Sequence, residues 1–394
     1  MLHNSPTCPL QFRGYLSGKW RSRHCGGANF SKINRQPELG WRPVKIAAKH
    51  PLSKPKPLNR PSWNQAPPAP ARAADAAETG TATGGVQYLQ ISAEHQGQRI
   101  DNFLLTHLKG VPRSLIYRIL RTGEVRLNRG RVKPTTRLTA GDSLRLPPLR
   151  QAPVAAAAKP SSGLQAHLGA AILYEDDGLL VIDKPAGLAV HGGSGLSLGL
   201  IEALRAMRPQ QSLELVHRLD RETSGCLLIS KKPAILRWLH QQLRDGQVRK
   251  GYSALLVAEL PRARMEVQAP LRKNQLRSGE RIVRVDPQQG KPARTWFRVR
   301  ETLAGCTLAE VRLDTGRTHQ IRVHAAHLGA PVAGDEKYGL AARNDWLSSL
   351  GLNRLFLHAA ELGFRPHPEA EPVRIQAQRP PVLEQLLARL RECT

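Results

Sequence analysis

An α+β fold in two folded units is predicted, with a small basic unit on the N-terminal side and a larger domain built on a largely antiparallel mixed sheet. Three observations predict it. From residue 171 onward, short apolar strand-like runs alternate irregularly with a few helical stripes, a pattern of mixed layers rather than of repeated βαβ units. Residues 98–147 carry two successive helical stripes and then short alternating strands. Between the two lies a stretch with Ala155–Ala158 and Pro160-Ser161-Ser162-Gly163, the composition of a linker. At 394 residues the chain has room for both units and an extension.

Residues 1–85 are expected to lack a fold of their own. Prolines recur (Pro51, Pro55, Pro57, Pro61, Pro67, Pro68, Pro70), apolar residues follow no period, and little burial is available to offset chain entropy. Three readings fit this segment: an RNA-touching basic tail, an organelle targeting segment, or translation begun too far upstream. The first 37 residues contain no acid, yet no amphipathic helix stands out.

Folded structure is predicted from residue 86. Ile100, Phe103, Leu104 and Leu108 recur at helical spacing, and Gly110 follows as a stop. Pro112 suits the opening turn of a second helix, on which Leu115, Ile116, Ile119 and Leu120 form the buried face. Arg113, Tyr117 and Arg121 share another face, with Arg118 beside them. Gly123 ends this helix, and Val125-Arg126-Leu127 and Ser143-Leu144-Arg145-Leu146 alternate as strands. Residues 151–170 are expected to be linker. In the larger domain, Leu179–Ile182 reads as a buried strand, and Leu200–Met207 and Pro233–Leu243 as helices. Strands fit Val248–Val257, Ile282–Val285, Thr295–Val299 and Leu308–Leu313, and His319–Leu328 fits a helix closed by Gly329.

The charge points to a polyanion. The net charge is +28 with 59 Lys/Arg against 31 Asp/Glu, and the isoelectric point of about 10.8 exceeds the value of about 9 that marks nucleic-acid binders. Positive charge is densest early: residues 1–85 hold 13 Lys/Arg against 3 Asp/Glu, and residues 86–150 hold 12 against 4. Such attraction supplies affinity without sequence choice. The five cysteines have no disulfide or zinc spacing, which suits a reducing compartment. No apolar run approaches the ~18 residues of a membrane span, and no secretory signal core is present. A cytoplasmic location is therefore expected.

The most informative stretch is His217-Arg218-Leu219-Asp220-Arg221-Glu222-Thr223-Ser224-Gly225. One carboxylate sits between two guanidinium groups, whose charge favours a carboxylate's ionised form. Those guanidiniums can also hold phosphates or stack on bases. The string closely resembles the signature of the RluA-type pseudouridine synthases, and Lys250-Gly251-Tyr252-Ser253-Ala254 and Thr315-Gly316-Arg317-Thr318-His319-Gln320-Ile321-Arg322 resemble two further motifs of that family. Asp183-Lys184-Pro185-Ala186-Gly187-Leu188-Ala189-Val190-His191 resembles another, and residues 98–147 resemble an S4 RNA-binding domain. The resemblance implies boundaries of 1–85 for the extension, 86–150 for the S4-like domain, 151–170 for the linker and 171–394 for the catalytic domain.

It also implies roles. Asp220 would be the catalytic aspartate, Arg322 its partner, and Tyr252 a residue against the target base that removes the C5 proton. Arg218 would fill the space left by a flipped nucleotide, and His217, Arg221, Arg317, His319, Lys184 and His191 would contact substrate. Arg99, Arg113, Tyr117, Arg118, Arg121 and Arg126 would touch RNA from the S4-like domain. The implied substrate is uridine in 23S (large-subunit) ribosomal RNA, at more than one site; other RNAs, or a non-catalytic assembly role, are the alternatives. A monomer without cofactor or metal is expected. The spacing of His319, His324 and His327 invites a metal reading, but no acidic ligand accompanies them.

Overall fold

The computed structural model describes residues 42–43, 85–108, 110–149, 159–192, 198–275 and 281–393. The expectations for residues 1–84 and for the alanine-rich part of the linker lie outside the described residues. The first element, β1 (Arg42–Pro43), is a two-residue strand at an edge of the larger sheet.

The basic unit comprises β2 (Gln87–Gln90), α1 (Ile100–His107), α2 (Arg113–Thr122), β3 (Arg126–Leu127), β4 (Gly130–Arg131) and β5 (Ser143–Leu146). Its strands pair in the order β2-β5-β3-β4. Ile100, Phe103 and Leu104 of α1 and Ile116, Ile119 and Leu120 of α2 bury against Leu144 and Leu146, as their spacing requires. Pro112 takes the N-cap position, one residue before the opening turn expected for it. Gly123 caps α2 at φ 76°, a left-handed conformation that glycine adopts without strain.

The larger unit begins earlier than the composition suggested. Residues 162–170, expected as linker, form α3 (Ser162–Ala170), whose N-cap Ser161 accepts a hydrogen bond from the Leu164 amide. Leu164 and Leu168 lie on one helical face and bury in the core of the larger domain. Serine and glycine here are cap and helix residues, which composition alone does not distinguish from a linker. There follow β6 (Ile172–Glu175), β7 (Leu179–Lys184), α4 (Leu200–Met207), β8 (Glu214–Leu215), β9 (Ser224–Ser230), α5 (Pro233–Arg244) and β10 (Arg249–Leu256). Next come β11 (Arg264–Gln268), β12 (Leu271–Gln275), β13 (Arg281–Val285), β14 (Arg294–Leu303), β15 (Cys306–Leu313) and α6 (Gln320–His327). The chain finishes with α7 (Ala341–Ser349), β16 (Leu357–Phe364), β17 (Val373–Gln376) and α8 (Pro381–Glu392).

The main sheet runs β11-β14-β15-β10-β16-β9-β7-β6, with β17 on β16 and β8 on β9. Its described pairings are antiparallel except β16 with β9 and β1 with β17. The parallel seam pairs His358 with Ser224 and Ala359 with Gly225. Gly225 is required there: at φ 109°, a Cβ would come within 2.3 Å of the Ala359 carbonyl oxygen. The seam brings the loop that precedes β9 beside β10 and β16. On one face, a cluster around Ile182, Leu204 and Leu227 and another around Phe297, Val311 and Ile321 meet at Tyr252. The register of β10 against β16 shifts between Gly251 and Ser253, and such irregularities re-aim the residue they enclose. The active cavity opens at this junction.

Candidate active site

A cavity of about 550 Å³ is lined by Arg218 and Asp220 of the loop before β9, by Lys250 and Tyr252 of β10, and by His319 and Arg322 at the start of α6. Leu313, Ile321 and Leu357 supply an apolar wall. Three strings far apart in sequence thus converge. The volume lies in the range of small-molecule pockets and can admit one extruded nucleotide.

Asp220 is 19% exposed, with His319 Nε2 and Arg322 Nη1 each 3.9 Å from its Oδ2. Arg322 has a closer partner. Its Nε donates to Asp335 Oδ2 at 2.7 Å and its Nη2 to Asp335 Oδ1 at 2.6 Å, a bidentate fork on a fully buried carboxylate. Asp335 Oδ1 also accepts from the Lys337 and Tyr338 amides. The implied Asp220–Arg322 pair is therefore the looser arm of a triad whose rigid arm is Arg322–Asp335. Nothing local in the sequence says which arginine Asp335 meets. Gly334, at φ 71°, permits the turn that aims it; a Cβ there would meet the Arg354 carbonyl oxygen at 2.2 Å.

His319 adopts φ 53°, a left-handed conformation unusual for a non-glycine residue and common at functional sites. Its Nδ1 bonds to the Tyr338 hydroxyl at 2.8 Å, and that hydroxyl also accepts from the Val283 amide. Burial pulls the imidazole below its usual range against the attraction of Asp220. Tyr252 is raised by burial and then by Asp220, which keeps the phenol neutral. Lys250, missed by sequence reasoning, is lowered by burial against the pull of Asp314. Its side chain has no hydrogen bond or ion pair with a described residue.

The remaining implied substrate contacts divide. Arg218 is exposed at the cavity and its side chain has no partner among the described residues, as a residue entering vacated RNA space requires. Arg317 lines the cavity while its Nε donates to the Pro292 carbonyl. One assignment is corrected. Lys184 is fully buried, and its Nζ donates to the carbonyls of Pro185, Leu188 and Arg221 at 2.8, 2.8 and 2.9 Å. Burial pulls it down to about 7, but three carbonyl acceptors use all three ammonium protons, and this geometry assigns the charged form. It staples the catalytic loop and cannot reach RNA. Arg221 donates from Nε to the Gly187 carbonyl, outside the cavity lining. His217 lines the cavity, its Nε2 accepts from the Leu228 amide, and burial pushes it down to about 4. His191 is exposed and outside the lining.

Arg354 reinforces the loop from behind. Its Nη2 donates to Ser224 Oγ at 2.8 Å and to the Glu222 carbonyl at 3.4 Å. Ser224 Oγ in turn bonds His358 Nδ1. The metal reading of the histidines finds no support in their contacts. Both nitrogens of His324 are used, by Thr295 and the Ala269 carbonyl, and no cluster of metal-ligating residues occurs among the described residues.

Two buried imidazoles make stability depend on pH. His217 and His358 are pushed by burial to about 4 from the 6.5 of the free side chain. Between those values the unfolded chain binds more protons, so the stabilisation is complete above pH 6.5 and is lost as pH falls toward 4. Acidification from pH 7 to 5 should cost about 2 kcal/mol per histidine. Urea unfolding at the two pH values measures it, and His217→Gln should remove part of the dependence; equal stabilities at both pH values would rule the account out.

In the basic unit, Arg99 forks on buried Asp101, whose Oδ2 also accepts from the Tyr117 hydroxyl, and Arg113 donates to that hydroxyl. Arg113, Arg118 and Arg121 are exposed along α2, and Arg126 donates to the Arg129 carbonyl. The network fixes one end of a cationic helix face.

A carboxylate held among arginines in a nucleotide-sized cavity, beside a basic helical unit, defines an RNA-modifying isomerase, and the chain belongs to the RNA pseudouridylate synthase family. That family matches residues 178–327, and an S4 domain matches residues 98–144. The chain is 53% identical over 315 residues to the ribosomal large subunit pseudouridine synthase C of Escherichia coli (strain K12), covering 79% of this chain and 98% of that protein. It is 51% identical over 313 residues to the protein of the same name from Pasteurella multocida (strain Pm70), covering 78% and 94%. Among solved structures, human RNA pseudouridylate synthase domain containing 4 aligns at 28% identity over 58% of this chain and 96% of that chain, with a TM-score of 0.49. Among the described residues, no helix is long and apolar enough to cross a membrane.

Proposed function

We propose that this chain isomerises uridine to pseudouridine in large-subunit ribosomal RNA, at more than one position, with Asp220 as the reacting carboxylate. The observation that carries the chemistry is Asp220 in the cavity wall, 3.9 Å from Arg322 and in one lining with Tyr252. The substrate reading rests on relatives named for the large ribosomal subunit and on the S4 domain.

The reaction is balanced without a co-reactant. The N1–C1′ bond breaks, C5–C1′ forms, C5 loses a proton and N1 gains one. Asp220 acts on the sugar, as nucleophile at C1′ or as base toward it. The target nucleotide first leaves the stack, and Arg218 occupies the space it vacates. Tyr252 packs against the uracil, and the apolar wall keeps the detached base from diffusing away. Asp335 holds Arg322 so that one guanidinium edge faces Asp220. The S4 domain adds phosphate contacts through Arg99, Arg113, Tyr117, Arg118, Arg121 and Arg126. We place the enzyme in the cytoplasm, acting as a monomer and without a metal, so that activity survives exhaustive EDTA treatment.

Tritium release from [5-³H]-uridine RNA tests the proposal with 23S rRNA, 16S rRNA and tRNA transcripts side by side. Release from 23S rRNA alone is expected. Release from tRNA or 16S rRNA alone would move the substrate, and tight binding without release from any RNA would favour an assembly role.

A further inference from the structure

The outer strands β11, β14 and β15 present a second surface around the corner from the cavity. Side chains alternate along a strand: Phe297, Val311 and Leu313 enter the core on the cavity side, so Trp296, Arg298 and Arg312 stand on the opposite face. Helix α8 covers that face only where Leu255, Leu303, Cys306 and Leu308 meet it. Beyond the helix this face is exposed among the described residues. Trp296 is 38% exposed, and Arg264, Arg298 and Arg312 are exposed with it.

Register makes this a cluster. Trp296 lies directly opposite Arg312, and Arg298 lies between Arg264 on β11 and Glu310 on β15. Like charges facing each other across a strand pair are unfavourable unless something anionic answers them. The carboxylates nearby are already engaged, Glu266 by Arg294 and Glu310 by Arg300. The side chains of Arg264, Arg298 and Arg312 have no ion pair or hydrogen bond with a described residue. The indole is also oriented: its Nε1 donates to Asp314 Oδ2 at 2.9 Å, and the Arg294 guanidinium lies 5.3 Å from its ring centroid. Asp314 itself lines the active cavity, so the indole is tied to the cavity rim.

We propose that this open sheet face is a second RNA contact, on which an unpaired nucleotide flanking the target stacks against Trp296 while Arg264, Arg298 and Arg312 hold the adjoining phosphates. Unanswered guanidiniums call for a polyanion, and an aromatic ring among them distinguishes single-stranded nucleic acid from a merely acidic protein. This rests on the RNA-substrate reading and adds to it a place for RNA beyond the flipped base. Strand backbones rather than a mobile loop carry the contact.

The test uses the full chain as wild type, Trp296→Ala, Trp296→Phe and Arg298→Ala/Arg312→Ala, with a 20-nucleotide oligouridine and a 23S rRNA transcript as probes. Trp296→Ala should weaken oligouridine binding about ten-fold, and Trp296→Phe should restore most of it. The double arginine variant should lower the slope of log K against log salt by about 1.4, at about 0.7 per phosphate contact. Single-turnover tritium release at saturating enzyme should stay within about two-fold. Unchanged oligouridine affinity in variants that melt like wild type overturns the surface. A loss of self-association or of a protein contact instead of RNA affinity overturns it as well. Wild-type release from 23S rRNA with unaltered binding by Trp296→Ala removes this surface and leaves the proposed activity standing. Trp296-dependent binding without release from any RNA keeps the surface and removes the activity.

Discussion

Asp220→Asn should lower single-turnover pseudouridine formation by at least about 10³-fold, equivalent to about 4 kcal/mol of transition-state stabilisation. Asparagine keeps the shape of the side chain but neither attacks C1′ nor accepts a proton. Asp220 is 19% exposed and makes no contact closer than 3.9 Å with His319 or Arg322, so its removal leaves no tight pair broken. The fold and the RNA affinity should therefore persist, with Kd within a few-fold of wild type; loss of an anion facing RNA can even tighten binding. Tritium release beside a filter-binding isotherm measures both. A variant that turns over within ten-fold of wild type would remove Asp220 from the chemistry.

Asp335→Ala should be the most damaging substitution outside the reacting residues. It strips the fork from Arg322, an arginine 11% exposed, and leaves a guanidinium with its nearest remaining carboxylate at 3.9 Å. Breaking one side of a buried pair costs about 3–5 kcal/mol, or on the order of 10 °C in Tm for a domain of this size. The Lys337 and Tyr338 amides lose their acceptor too. Arg322 would then be free to close on Asp220 and engage the carboxylate that must reach the sugar, so the rate at saturating RNA should fall about 100-fold. The double variant Asp335→Ala/Arg322→Met should recover much of the stability but not the rate. Thermal melts and single-turnover rates of the three proteins decide it: a Tm within about 2 °C of wild type for Asp335→Ala would refute the buried-fork account.

Both predictions turn on how much of the site is local in sequence. The turn from His217 to Gly225, the strand string around Tyr252 and the run from Thr315 to Arg322 are each legible because a few adjacent residues carry their chemistry. The stripes of α1, α2 and α5 are equally legible, since burial of one helical face imposes its spacing within a dozen residues. What failed to read were contacts whose partners come from elsewhere. Lys184 reads as a substrate contact and is a staple under the loop, because the carbonyls of Pro185, Leu188 and Arg221 replace its water. α3 looked like linker because its anchors, Leu164 and Leu168, have value only against a core assembled later in the chain.

The amino-acid order by itself thus determined the class of fold, the basic unit ahead of the catalytic domain, and which short strings hold the reactive groups. Only the tertiary structure decided that Arg322 leans on Asp335 first and Asp220 second, that Lys250 joins the cavity, and that Trp296 stands opposite Arg312. The reason is physical. Helix faces, turns and caps are settled by interactions over a few residues. The parallel seam of β9 with β16 and the meeting of α6 with the loop at Asp220 are closures over a hundred residues or more, and their partners are chosen by the packing of the whole sheet.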